Sequence, residues 1–241
     1  MGAKLTVPTI LDLGDSADGY LLDVAGSETY LNFFSATDVL ARNLVDGGPT
    51  PLATGTPTIS GELVQFGLAR GAYVNTGVAQ PTGDFTIIAV AKSTNAGRGM
   101  IVSNWESTAK GGLIFGFGVA GASLTLQSTI SNSGTLSQDA AEAPLGVSVG
   151  GTYCVAARYN STTRLKTLNN LTAGLSTTHT AAYPMLAETT NKLLIGKSFS
   201  TFASEVDVGL VLIYNRLLSD TELAVEYAQI RAAFSARGID L

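Results

Sequence analysis

The chain has 241 residues, a length at which an all-β sandwich can form a single domain around one hydrophobic core. Its formal net charge is -5 and its Lys and Arg residues are scattered singly, which argues against a nucleic-acid partner because phosphate binding requires clustered basic side chains. The sequence contains no apolar run of about 18 residues to cross a bilayer and no N-terminal stretch typical of a signal peptide, so we expect synthesis in a cytoplasm and no membrane partner.

The surface is predicted to be polar but weakly charged. Charged residues make up 14% of the chain, against about 25% in an average soluble protein. Ser, Thr, Asn, Gln and Gly must therefore supply most of the surface, and these residues suit strands and tight turns. The single cysteine, Cys154, excludes an intramolecular disulfide and is predicted to be a small buried apolar residue.

Residues 1–42 differ in composition from the rest of the chain. An aromatic run from Tyr30 to Phe34 follows a series of aspartates, namely Asp12, Asp15, Asp18 and Asp23. The spacing of the aspartates does not match that of a calcium-binding loop, which favours a solvated turn. We interpret 1–42 as an N-terminal extension or docking arm.

From residue 43 to residue 241, short β-prone segments alternate with Gly, Pro and Asn at intervals typical of a sandwich or barrel. The strict polar–apolar alternation of 123–127 predicts one face on a core and the other in water, whereas the apolar segment 85–91 predicts a strand covered on both faces. We therefore predict two packed antiparallel sheets. The predicted strands are 62–66, 85–91, 99–103, 112–117, 123–127, 152–158, 192–196 and 205–214.

One helix is predicted, over 220–237. Ser219 and Glu222 form a capping-box pattern at its start, and Gly238 is a stop signal at its end. An apolar stripe at helical spacing predicts that the helix docks against the sandwich or against a neighbouring subunit. The stripe residues are therefore the candidate assembly residues, namely Leu223, Tyr227, Ile230 and Phe234.

Three segments in this order resemble one known family. The first begins at Asn43 and continues to Lys92, the second is Gly151 to Tyr159, and the third and most specific runs from residue 194 through Glu205-Val-Asp-Val-Gly-Leu-Val-Leu-Ile-Tyr to Ser219. Together they resemble the concanavalin A-like, laminin G-like jelly roll, in the version with a capped final helix that occurs in structural proteins of tailed phages. The resemblance implies a curved two-sheet antiparallel sandwich.

The resemblance implies a non-enzymatic virion protein of the tail, baseplate, fibre or capsid, with other virion proteins as partners. We also hypothesise that the chain forms a homo-oligomer, specifically a trimer, because proteins of the family it resembles commonly do so and because its surface carries few charges. The alternative is an adhesin that binds a host-surface polysaccharide. A glycoside hydrolase is a third interpretation, because related glucanases carry alternating carboxylates on one strand, as Glu205 and Asp207 do here. The second glutamate of the glucanase pattern is missing.

Trp105 is the best candidate for sugar stacking, with Asn104 and Glu106 as hydrogen-bonding neighbours. The alternative for Trp105 is a structural role at the edge of the sandwich. Ser148 lies in a nucleophile-elbow pattern, but a strand follows it, and no acid lies between it and the single histidine, His179. We therefore predict no catalytic residue.

A cofactor is not expected either. The glycine pattern of 116–121 resembles a dinucleotide fingerprint but leads into a predicted strand, which favours a hairpin. One His and one Cys cannot form a zinc site, so no metal residue is assigned. A calcium site formed by loop carboxylates and carbonyls is left as an open alternative.

Overall fold

In the computed structural model, the chain is described at residues 24, 26–34, 40–67, 71–94, 98–199 and 205–241. These residues form fifteen β-strands and one α-helix. In chain order they are β1 (Glu28–Phe33), β2 (Leu52–Thr54), β3 (Thr58–Ser60), β4 (Leu63–Gly67), β5 (Tyr73–Ala79), β6 (Phe85–Ser93), β7 (Gly99–Ser103), β8 (Leu113–Phe117), β9 (Leu124–Asn132), β10 (Thr135–Ala143), β11 (Thr152–Asn160), β12 (Leu165–Asn170), β13 (Leu175–Thr180), β14 (Lys192–Ile195), β15 (Glu205–Tyr214) and α1 (Asp220–Ser235).

The strands form two antiparallel sheets packed face to face. Sheet A has eight strands, in the order β13-β12-β11-β6-β15-β4-β3, with β1 also pairing with β15. Sheet B has seven strands, in the order β10-β9-β8-β7-β14-β5-β2. The predicted all-β class, with two antiparallel layers and a C-terminal helix, is therefore confirmed.

The main core lies between the two sheets. Alternate residues of β6, among them Phe85 and Ile87, point into it, and Phe115 of sheet B packs in the same cluster. The intervening residues Ile88 and Val90 belong to a second apolar cluster on the opposite face of sheet A. Segment 85–91 is therefore covered on both faces, as its apolar sequence predicts.

Helix α1 docks on the outer face of sheet A. Its N-terminus has the predicted capping box, in which the Glu222 amide donates to Ser219 and the Glu222 carboxylate accepts from the Ser219 amide. Leu223, Ile230 and Phe234 are buried against sheet A, and Tyr227 packs at the margin of the same cluster. The apolar stripe thus covers the chain's own sandwich, so three of the four predicted assembly residues are not available to a neighbouring subunit.

The N-terminal boundary differs from the expected one. Much of 1–42, including the four aspartates, lies outside the described residues. Within the segment, β1 pairs with β15 from Glu28 to Phe33, because its apolar residues can bury against sheet A and α1. Residues 28–33 are therefore a strand of the sandwich rather than part of a separate arm.

A buried carboxylate connects three distant parts of the chain. Glu226 of α1 is fully buried and accepts hydrogen bonds from the Val24 amide at 3.1 Å and the Tyr214 hydroxyl at 3.0 Å. Burial is the main cause that raises the pKa of Tyr214, and Glu226 raises it further, so the phenol stays a donor. This contact ties Val24, four residues before β1, to β15 and to the helix.

The prediction that one face of 123–127 lies in water is wrong. Thr125 and Gln127, on the outer face of β9, are 1% and 6% exposed. The Gln127 side chain accepts from Arg98 at 2.6 Å, and the Leu186 amide donates to the Thr129 carbonyl at 2.8 Å. Neighbouring segments therefore cover a polar strand face, which a pattern of alternation cannot reveal.

We predict that Phe234→Ala lowers the free energy of unfolding by about 3–5 kcal/mol, because Phe234 is fully buried and stacks on Phe33. Val225→Ala on the exposed side of α1 should change the free energy by about 0.5 kcal/mol or less. Urea denaturation of both variants measures the difference. Equal midpoints for Phe234→Ala and the unsubstituted protein would show that the helix does not dock as described.

Candidate functional site

A groove of about 560 Å³ lies on the outer face of sheet A, beside α1. Its floor comes from the outward side chains of β11, β12 and β13, and one wall comes from the first turns of α1. The volume falls within the range of small-molecule sites. The lining residues are Arg158, Asn160, Leu165, Thr167, Asn169, Asn170, Leu171, Gly174, Leu175, Ser176, Thr178, Leu217, Asp220, Leu223, Ala224 and Tyr227.

The polar floor follows from strand alternation. Along β12, Leu168 points into the core, whereas Thr167 and Asn169 point outward. In the pairing with β13, Thr167 opposes Thr178 and Asn169 opposes Ser176. Four short polar side chains therefore form one patch at the edge of sheet A, beyond the part that α1 covers.

The wall is less polar than the floor. Tyr227 of α1 is partly buried at the margin of the helix contact, and Leu223 lies one turn earlier. Leu171 and Leu175 line the groove at the end where β12 turns into β13. The groove thus combines hydrogen-bonding groups with one aromatic and several aliphatic side chains, which is the usual composition of a ligand site.

The two charged lining residues are paired with each other. Arg158 Nη2 lies 2.7 Å from the Asp220 carboxylate, and Arg158 Nη1 donates to the Leu218 carbonyl at 3.0 Å. The Arg158 side chain is 10% exposed, which favours this fixed geometry. The groove therefore has no net charge from its lining side chains.

Asn169 supplies the most informative polar atom of the groove. Its Oδ1 is buried and accepts no hydrogen bond from any described residue. A buried acceptor without a donor carries a desolvation cost of about 1–3 kcal/mol. Arg158 Nε is a second buried polar atom of the groove lining without a hydrogen-bond partner among the described residues.

The structure places the sequence-predicted site residues elsewhere. Trp105 is 6% exposed and packs with Met100 and Ile114 on the outer face of sheet B, so its ring offers no open face to a sugar. Asn104 is fully buried and bonds to backbone groups of Leu113 and Asn191. A structural role in the sandwich therefore describes Trp105 better than sugar stacking, because its ring is buried against other apolar side chains.

Of the three predicted sugar-binding residues, Asn104, Trp105 and Glu106, only Glu106 lines a described pocket. It lines a concavity of about 320 Å³ together with Lys110, Glu188, Thr189, Thr190 and Asn191. The hydrogen bond from Lys110 at 2.7 Å, followed by the one from Asn191 at 3.0 Å, lowers the pKa of Glu106. Its carboxylate is therefore charged and engaged within the protein.

The catalytic patterns find no support in the geometry. Ser148 contacts the Tyr153 hydroxyl at 3.0 Å, whereas His179 contacts Asp139 at 2.9 Å, so nucleophile and base have separate partners. Asp207 is 5% exposed on β15. The glycine run leads through a short turn at Val119–Gly121 into β9, as the hairpin interpretation predicts.

Within the described residues, no group of three or more His, Cys, Asp or Glu side chains is arranged to hold a metal ion. The same part of the chain contains no helix that is long and apolar enough to span a membrane.

Asp139 joins the two sheets at their adjoining edges. Its carboxylate on β10 lies 2.5 Å from Lys166 Nζ on β12 and 2.9 Å from His179 Nε2 on β13. Burial favours protonated Asp139, but the hydrogen bonds from His179 and Lys166 outweigh it and lower the pKa of Asp139. Burial also lowers the pKa of Lys166, which the ion pair only partly offsets.

Comparisons with known proteins identify the fold. No family model matches the chain, and no curated protein is similar to it in sequence. Among solved structures, the binding domain of botulinum neurotoxin serotype G superposes with a TM-score of 0.60 at 10% identity, over 85% of this chain and 51% of that one. The chain therefore has a two-sheet, concanavalin A-like β-sandwich fold.

Two further structures give the same result. The binding domain of botulinum neurotoxin DC in complex with SialylT has a TM-score of 0.58 at 9% identity, over 85% of this chain and 52% of that one. The same domain in complex with rat synaptotagmin II has a TM-score of 0.59 at 9% identity and the same coverage. This chain spans about half the length of these domains, and the likeness shows the fold. The predicted phage origin stays a prediction.

None of the groove residues on β12 and β13 was singled out from the sequence. The available signal was the polar, β-prone composition of 165–180, in which Thr, Ser and Asn alternate with few charges. Such a pattern is typical of any exposed hairpin. The groove can be recognised only in the tertiary structure, where α1 lies beside the hairpin.

We predict that Asp139→Asn lowers the free energy of unfolding by about 3 kcal/mol at neutral pH, because it leaves buried Lys166 without its counter-charge. Adding Lys166→Met should recover most of the loss. Glu142→Gln, a carboxyl-to-amide change at an exposed position of the same strand, should cost about 0.5 kcal/mol or less.

The lowered pKa of Asp139 determines how the free energy of unfolding changes with pH. The contribution of Asp139 is complete above its unfolded pKa near 3.8 and disappears as the pH falls through the lower folded value. Urea denaturation between about pH 3 and pH 7 should therefore show a smaller stability difference between Asp139→Asn and the unsubstituted protein at the acid end. A constant difference would contradict this ion pair.

Proposed function

We propose that this protein is a non-catalytic binding module that recognises a carbohydrate or a receptor surface through the groove between α1 and the β12–β13 hairpin. The observation that carries the proposal is a groove of about 560 Å³, the size of a small-molecule site, with the Asn169 amide group on its floor. Thr167, Ser176 and Thr178 add hydroxyl groups beside it.

The shape of the groove supports recognition rather than chemistry. Its charged residues are Arg158 and Asp220, and they are committed to each other at 2.7 Å. Retaining glycoside hydrolysis needs two carboxyl groups flanking the bond, and the groove lining contains a single one. Hydroxyl, amide and aromatic groups suffice for binding a sugar, since they match its hydroxyls and its apolar ring face.

The fold is compatible with this proposal. Similar sandwiches form part of neurotoxin binding domains that were solved with SialylT and with rat synaptotagmin II. Fold alone does not transfer a ligand, and the groove residues of this chain carry the argument. The adhesin alternative from the sequence is therefore the main proposal, with a host-surface polysaccharide as its ligand.

The virion assignment is retained as a second proposal. It is supported by the resemblance of 194–219 and by a surface with few charged residues. Because α1 covers its own sandwich, assembly with other virion proteins would have to use another surface. The predicted docking arm is the first choice, and most of it lies outside the described residues.

We expect Thr178→Tyr to weaken glycan binding at least tenfold, because Thr178 faces the groove and a phenol ring there fills its floor. The matched control is Thr180→Tyr, which changes an exposed residue on the same face of β13 outside the groove lining. A glycan array selects the ligand, and titration calorimetry measures both variants. Unchanged binding in Thr178→Tyr, or loss in Glu106→Gln instead, would contradict the groove.

The predicted homo-oligomer, and the trimer in particular, is tested by light scattering at high concentration. The proposal expects a mass above that of one 24.8 kDa chain. Tyr227→Ala should leave the mass unchanged, since the helix stripe contacts its own sandwich. A monodisperse monomer would rule out self-assembly of this chain alone.

A further inference from the structure

A second pocket, of about 320 Å³, shares no lining residue with the groove. Glu106 and Lys110 line it from the loop between β7 and β8. Residues 188–191 line it from the segment between β13 and β14. The pocket therefore lies where two connections of the sandwich meet.

Buried amide side chains hold both connections in place. Asn104, which is fully buried, donates to the Asn191 carbonyl at 3.4 Å and so joins one loop to the other. Gln80 is 4% exposed and accepts from the Glu188 amide at 3.2 Å. The backbone of the pocket is therefore positioned before a ligand binds, which lowers the cost of binding.

Glu188 has one carboxylate oxygen that the rest of the described chain does not use. The residue is 5% exposed, and its Oε1 accepts from the amides of Thr190 at 2.6 Å and Asn191 at 3.2 Å. Its Oε2 accepts no hydrogen bond from a described residue, and it is not among the polar atoms that are closed to solvent. Because Glu188 lines the pocket, this oxygen is accessible to a ligand there. A carboxylate in so buried a position requires a donor, and a cationic group supplies the strongest one.

The charges of the pocket favour a ligand with an ammonium group. Lys110 donates to Glu106 Oε1 at 2.7 Å and Asn191 donates to Glu106 Oε2 at 3.0 Å, so both oxygens of Glu106 are occupied. Lys110 thus offsets Glu106, and Glu188 has no counter-charge of its own among the lining residues that the structure describes. Calcium takes roughly six to eight oxygen ligands, which one available carboxylate oxygen does not supply. An ammonium group has three donors and needs few acceptors.

We propose that this pocket binds the primary ammonium group of a lysine side chain on a protein partner. The ammonium group donates to Glu188 Oε2, and the hydroxyls of Thr189 and Thr190 are further acceptors of the lining. The described lining contains no aromatic residue to stack on a sugar ring, and its volume is at the low end for ligand sites. An unbranched alkyl chain therefore fits better than an amino sugar.

Titration calorimetry of the whole chain tests the class of ligand. Nα-acetyl-lysine methylamide should bind at least about tenfold more tightly than Nα-acetyl-norleucine methylamide, which lacks the ammonium group. The trisaccharide of glucosamine supplies ammonium groups on a sugar, and calcium chloride supplies a metal ion. Equal binding of the norleucine compound, or tighter binding of the glucosamine trisaccharide or of calcium, overturns the inference.

Two variants assign the binding to named charges. Glu188→Gln should weaken binding of the lysine compound at least about tenfold, because it removes the charge but keeps an acceptor for the two backbone amides. Lys110→Met should strengthen binding at least about threefold, because it removes a competing ammonium group. The matched control, Glu142→Gln, changes an exposed carboxylate on β10 and should leave the affinity unchanged. Unchanged affinity in both pocket variants contradicts the site.

Amide resonances locate the ligand independently of the variants. The amides of Thr190 and Asn191 donate to Glu188, so their NMR signals should shift when the lysine compound is added. The signal of Thr178 in the groove should not shift. Shifts confined to the groove, or no shift at Thr190 and Asn191, overturn the inference. The proposed function is tested separately by Thr178→Tyr, so either proposal fails without the other.

Discussion

The structure depends on the docking of α1 on the outer face of sheet A. Phe234, Ile230 and Leu223 cover apolar residues of β6 and β15 that would otherwise face water, and Glu226 connects the same helix to Tyr214. Burial on this scale contributes several kcal/mol, since each large apolar side chain is worth about 1.5–3 kcal/mol. Helix α1 covers only part of the outer face of sheet A. The groove lies between the uncovered strands β12 and β13 and the side of the helix. The site is therefore a consequence of how the fold buries its second apolar face.

Low charge gives the molecule its particular chemistry. With few ionic side chains available, most polar positions carry hydroxyl or amide groups, and two of the charged side chains at buried positions form ion pairs. Arg158 with Asp220 and Lys166 with Asp139 are examples, and both follow the rule that buried charges require partners. A binding surface built in this way recognises ligands by hydrogen bonds and shape. In the groove these groups are the hydroxyls of Thr167 and Thr178 and the amide of Asn169.

Sequence patterns succeeded where a local signal controls local structure. The capping box at Ser219 gave the start of the helix, and the apolar run of 205–214 gave β15 at both ends, because both depend on neighbouring residues. They failed where coverage comes from elsewhere in the chain. The alternation of 123–127 implied a solvated face, but Thr125 and Gln127 are buried on that face and Arg98 donates to Gln127. Trp105, the candidate for sugar stacking, is buried with Met100 and Ile114, which agrees with the alternative of a structural role. The polar strands β10 and β13 gave no apolar signal, since edge strands bury little.

The sequence by itself determined the class of the protein, namely an all-β chain with two layers, one amphipathic terminal helix and a weakly charged surface. These properties follow from composition and from periods of two and 3.6 residues, which act over a few neighbours. Only the tertiary structure decided that the helix covers its own sandwich, that Arg158 and Asp220 neutralise each other and that Asn169 faces a groove. Each of these depends on residues far apart in the chain, about 60 positions for the ion pair, whose meeting is set by sheet order rather than by any local pattern.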